Sequence, residues 1–149
     1  MLKEWEQDFP NLGSYEETSR ATGSYNCFAF AVEEQHRWWD PTPHVSYYWP
    51  ANTDRDHSIS TIIGIYKGYG YEICENGELE PDFDKIVLYD NNRGGINHVA
   101  RQLPDGRWTS KMGPDEDIAH ATPDALAGDE YGTPKYFMSR LKKKNAKNA

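Results

Sequence analysis

The hydrophobic period of the chain changes at Gly68-Tyr69-Gly70, and that change limits the folds open to it. Before it, apolar residues recur at helical spacing: Phe28, Ala31 and Val32 share a stripe with Gln35, and Ile59, Ile62, Ile63, Ile65 and Tyr66 form a second. After it come short runs with strand character, Tyr71–Cys74, Lys85–Tyr89, His98–Leu103, Arg107–Met112 and Tyr131–Leu141, separated by turn residues. Helices first and strands afterwards predict an α+β fold. Two N-terminal helices would pack on an antiparallel sheet of about four to six strands.

Local signals place the boundaries. Residues 1–23 read as an irregular arm broken at Phe9-Pro10-Asn11 and Leu12-Gly13, with Trp5, Phe9, Leu12 and Tyr15 pinning it to the body. The first helix is expected from Tyr25 to Trp38, capped by Ser24 or Asn26 and stopped before Pro41. A loop rich in proline and aromatic residues spans Asp40–Asp56, and the second helix is expected over Ser58–Gly68. Glu75-Asn76-Gly77 marks a turn, and Pro104-Asp105-Gly106 a hairpin. Ile118–His120 with Pro123–Leu126 reads as a short turn or helix, and Asp115-Glu116-Asp117 as a solvated helix cap. No internal repeat or linker divides residues 1–149, so a single domain is expected, with a basic flexible tail over 142–149.

Net charge narrows the partners. A formal charge of −8 argues against a phosphate-neutralising face for nucleic acid. Membrane insertion is not expected either, because no apolar stretch approaches a membrane span. The aromatic share of 13%, with five Trp and ten Tyr, fits a globule whose core leans on rings. Met1–Asn11 lacks the basic-then-apolar order of a secretory signal, which predicts a cytoplasmic location unless another route delivers the protein. Two cysteines make no disulfide scaffold in a chain of this size, and a Cys27–Cys74 bridge would consume the more interesting thiol. No C-x2-C or H-E-x-x-H spacing occurs, so no metal centre and no cofactor are expected.

Chemistry concentrates at Ser24-Tyr25-Asn26-Cys27-Phe28-Ala29-Phe30-Ala31-Val32. A cysteine opening an apolar helix would have its sulfur among unpaired backbone N–H groups and a partial positive charge. Both favour the thiolate, so a lowered Cys27 pKa is expected. A histidine brought to the same point would complete a Cys–His centre, and His98 is the candidate.

Asp84–Tyr89 followed by His98–Ser110 resembles the core of the NlpC/P60 and CHAP families of papain-like cysteine peptidases and amidases, and Asn26–Ala31 resembles the CHAP helix start. The likeness covers Tyr25–Met112. The Tyr25–Ala31 and Gly106–Lys111 runs resemble more closely a bacterial family with no established activity. The resemblance implies a papain-like fold, Cys27 as nucleophile, His98 as base, and a third polar residue at the position of Ser110. Serine there departs from the usual His, Asp, Asn, Glu or Gln, and a hydroxyl cannot stabilise an imidazolium as a carboxylate would. Asp117, His120 and Asn97 are the other candidates for the third member. Oxyanion or substrate contacts would fall to the Cys27 N–H, Tyr25 and Asn26. A three-residue hairpin loop would pair Leu103 with Arg107, and so turn Ser110 to the same face as His98.

Plainer readings apply elsewhere. Cys74 is expected in a strand core, His36 at the surface, and His44 and His57 as ligands only if they converge. The aromatic loop from Trp38 to Trp49 is either core cover or a rim for substrate. Two functions remain. One is a cysteine hydrolase acting on a peptide or amide substrate through an acyl-enzyme; the other is a non-catalytic binding or immunity-type module that takes a protein partner.

Overall fold

The computed structural model describes residues 4–42 and 47–142. His44 and the tail beyond Lys142 lie outside the described residues. Among the described residues, seven strands form one antiparallel sheet, more than the four to six expected. They are β1 (Tyr15–Glu17), β2 (Glu72–Cys74), β3 (Phe83–Asp90), β4 (Ile96–Gln102), β5 (Trp108–Lys111), β6 (Asp117–His120) and β7 (Thr133–Leu141), in the order β1-β6-β5-β4-β3-β7-β2. The helices are α1 (Cys27–Phe30) and α2 (Ile59–Gly68).

Helix α2 forms where its pattern places it. Ser58 caps it by accepting from the Thr61 N–H, and Ile62, Ile65 and Tyr66 are its buried stripe. The Tyr66 hydroxyl donates to the Phe28 carbonyl at 2.8 Å, which ties α2 to α1. Helix α1 is far shorter than the expected Tyr25–Trp38. Asn26 is its cap, but Glu33 adopts φ 62 and the Glu34 N–H turns back to the Ala29 carbonyl. The chain bends there because Trp39 returns to the core beside Asn26. The Asn26 Nδ2 donates to the Trp39 carbonyl at 2.6 Å, and Asn26 Oδ1 accepts from the Trp39 N–H. Tertiary burial of Trp39 overrides the helical stripe that continues to Gln35.

Two cores flank the sheet. One face carries Ile86, Leu88, Val99 and Met138 beneath α1, α2, Trp39 and Trp49. The other carries Val87, Tyr89, Ala100, Trp108 and Ile118 beneath Phe9, Leu12, Ala125 and Leu126. Covered on both faces, β3 reads as an unbroken buried run from Lys85 to Asp90.

Three expectations need correcting. Residues 15–17 of the arm form edge strand β1, and Glu4–Asp8 form a 3-10 helix. Asp117–His120 is a fully buried strand, because β1 and β5 pair with both its edges; Asp117 is therefore no solvated cap. Cys74 is half-exposed rather than a core residue, because β2 is an outer strand paired only with β7. The hairpin keeps its expected register: Gln102 faces Trp108, Arg101 faces Thr109, and the Leu103 N–H meets the Arg107 carbonyl. Gly106, at φ 92, makes the turn that an L side chain would resist.

Candidate functional site

The β4–β5 ladder stops at Arg101↔Thr109, and α1 lies against both strands where they part. Cys27 opens α1 in the first core, with its sulfur facing the backbone N–H groups of Val99, Cys27 and Phe28. Val99 directly follows His98. His98 stands opposite Tyr89 in register and rises on the second face, its ring 5.1 Å from that of Tyr89. The thiol thus reaches the strand backbone from one side of the sheet, while the imidazole of the preceding residue stands on the other.

His98 Nε2 lies 3.0 Å from Ser110 Oγ, and Ser110 Oγ lies 2.7 Å from His120 Nε2. His120 Nδ1 lies 2.8 Å from the Thr122 carbonyl. One residue each from β4, β5 and β6 therefore forms a buried polar row. Antiparallel register produces it: Trp108 faces His120 and Gln102, so side chains two apart along β4, β5 and β6 share a face. His98 Nδ1 is buried with no hydrogen-bond partner among the described residues. Tyr131 stacks on the other side of the ring, with centroids 3.9 Å apart and planes 2° apart. Gly128 and Gly132 hold Tyr131 there by bonding to each other at both ends of its loop. A Cβ at Gly132 would collide with the Asp90 carbonyl.

The electrostatics correct one expectation. Burial pushes the Cys27 thiol up to about 12, against the opposing pull of the Val99, Cys27 and Phe28 N–H groups and of Lys111. A four-residue helix supplies too little dipole to reverse the desolvation. Burial also holds His98 well below the ordinary imidazole range, helped by the nearby His120, and lowers His120 to about 4. At neutral pH the residues are a thiol and two neutral imidazoles, not a thiolate–imidazolium pair.

The remaining candidates are committed to other partners. The Tyr25 hydroxyl donates to Asp117 Oδ2 at 2.5 Å, and Asn26 braces Trp39 while capping α1. Asn97 is exposed and bonds Asn91 and the Glu130 carbonyl. His36 is exposed, in a groove lined by Arg37, Trp38, Tyr47 and Tyr48, whereas Trp39 and Trp49 are buried; the aromatic loop is both cover and rim. His57 stacks on Phe28 at 4.9 Å. Among the described residues, no three His, Cys, Asp or Glu side chains gather as metal ligands, and no helix is long and apolar enough to cross a membrane.

Sequence reasoning missed two participants. Lys111 is fully buried, donates to the Asp115 carbonyl and lies 5.2 Å from the Tyr25 ring centroid. Strand alternation puts it on the Cys27 face, a signal that could have been read. Tyr131 had only its nearby glycines to mark it.

Fold and site define an α+β domain with a seven-stranded antiparallel sheet and a buried cysteine beside a His–Ser–His row. Residues 16–139 match the family described as a domain of unknown function, DUF7689, and the chain belongs to that family. No curated protein and no solved structure gave a significant match.

Proposed function

We propose that the protein is a cysteine hydrolase of papain-like type, an amidase or peptidase in which Cys27 is the nucleophile and His98 the base. One observation carries the reading. The Cys27 sulfur meets the N–H of the residue after His98, whose Nδ1 is unpartnered while its Nε2 is anchored on Ser110.

The chemistry follows from neutral groups. As Sγ attacks the carbonyl carbon of a peptide or amide, its proton would cross the opening where β4 and β5 part to reach His98 Nδ1 on the other face, and the carbonyl electrons move onto oxygen. In this reading the Cys27 N–H, at the start of α1, would donate to that oxyanion. When the C–N bond breaks, His98 returns the proton to the leaving amine, and the acyl group stays on sulfur as a thioester. Water then attacks the thioester as His98 takes one of its protons, and His98 returns that proton to sulfur as the C–S bond breaks, releasing the acid and the free thiol. Because thiolate is scarce beforehand, proton transfer accompanies attack, and substrate must part the cover over the site.

The burial of Cys27, with 8% of its surface exposed, favours a second reading: a non-catalytic module that binds a protein partner. Labelling with a peptidyl electrophile separates the two. The hydrolase reading expects modification at Cys27 that His98→Ala slows, and that Cys27→Ser abolishes with the fold retained. Equal labelling of wild type and His98→Ala across pH 6–9 would favour the binding module.

A further inference from the structure

The Ser110 row has a direction that hydrogen-bond chemistry fixes. A carbonyl oxygen only accepts, so His120 Nδ1, 2.8 Å from the Thr122 carbonyl, must carry a proton. A neutral imidazole has one N–H, which leaves His120 Nε2 as an acceptor. Ser110 has one hydroxyl proton, and His120 Nε2 at 2.7 Å takes it. The Ser110 oxygen can then only accept from His98, so His98 Nε2 carries the hydrogen across the 3.0 Å contact. A neutral His98 is left with its lone pair on Nδ1, the buried ring atom without a partner.

We propose that the Thr122 carbonyl, acting through His120 and Ser110, sets the tautomer of His98, and that His120 is a positioning residue of the site. The purpose of this device rests on the hydrolase reading, since a base needs its lone pair on the atom that receives the thiol proton. The device itself does not. Burial keeps both imidazoles neutral, which the direction of the row requires. Tyr89 and Tyr131 pack on the His98 ring and supply no charge to reverse it.

The row also answers the serine at the third position. When His98 Nδ1 takes a proton, Nε2 still donates to Ser110, whose hydroxyl is polarised by His120. A hydroxyl backed by an imidazole backed by a carbonyl orients the ring without a buried carboxylate.

The test is two-bond 1H–15N spectroscopy of the full-length protein with labelled imidazoles at pH 7, in which the protonated and bare nitrogens of each ring separate. The chain has five histidines, and His98→Gln and His120→Gln each remove one set for assignment. The expected spectrum shows His120 protonated on Nδ1 and His98 on Nε2. Ser110→Ala should lose the single-tautomer pattern at His98, and Ser110→Thr, which keeps the hydroxyl, should retain it. Wild-type His98 protonated on Nδ1 would overturn the proposal, whether or not the variants fold. So would a Ser110→Ala protein with an unchanged His98 tautomer. If the tautomers are as expected while Cys27 labelling ignores His98→Ala, the row stands and the hydrolase reading falls.

Discussion

Tyr131 lies flat on His98, its ring centroid 3.9 Å away and its plane within 2°. This contact closes one side of the imidazole and helps keep it dry. Tyr131→Ala should let water reach His98 and raise its pKa toward the ordinary value. It should cost about 2–3 kcal/mol, because the ring is only partly buried. Urea denaturation reads the loss, and a histidine titration reads the pKa.

Cysteine reactivity should run opposite to the sequence expectation. With its pKa pushed to about 12, Cys27 holds on the order of one thiolate in 100,000 at pH 7. Half-exposed Cys74 should alkylate first with iodoacetamide, as peptide mass mapping would show. The linkage also has a sign. The folded pKa of Cys27 lies above its unfolded value of 9.0, so its contribution is complete below pH 9 and lost as pH rises toward 12. Alkaline denaturation of Cys27→Ala should be shallower than that of wild type.

Acid should weaken the fold through the same row. His120 falls from 6.5 to about 4, so below pH 6.5 the unfolded chain binds the proton that the folded one refuses. Stability is fully present above pH 6.5 and drains away as pH falls toward 4, by up to ~3 kcal/mol from His120 alone. His98 and His57, both lowered first by burial, act in the same direction. Urea midpoints at pH 7.5 and 4.5 should differ strongly in wild type and less in His120→Gln.

Asn26 should matter more to stability than a residue beside a nucleophile usually does. Its side chain caps α1 through the Ala29 N–H and holds both polar groups of the Trp39 backbone. Asn26→Ala would orphan buried groups and should cost about 2–4 kcal/mol. Asn26→Asp keeps the acceptor and loses the donor to the Trp39 carbonyl, so it should fall between. Thermal melts of the two variants check the order.

Features that depend on neighbours along the chain were legible before any contact was known. Ser58 and the isoleucines set α2, the unbroken apolar run set β3, and Pro104-Asp105-Gly106 set the hairpin loop. A loop of known length fixes the parity of both strands, so Ser110 could be turned toward His98 before any contact was seen. Tertiary structure decided the rest. Helix α1 stops early because Trp39 folds back onto Asn26, a contact across 13 residues that no local pattern encodes. Asp117–His120 became a strand because β1 and β5 offered two edges to pair with. The Cys27 pKa turned upward because desolvation depends on everything packed around the sulfur, whereas the helix start is legible locally. His120 joined the site because sheet order set β6 beside β5, which placed its ring within reach of the Ser110 hydroxyl.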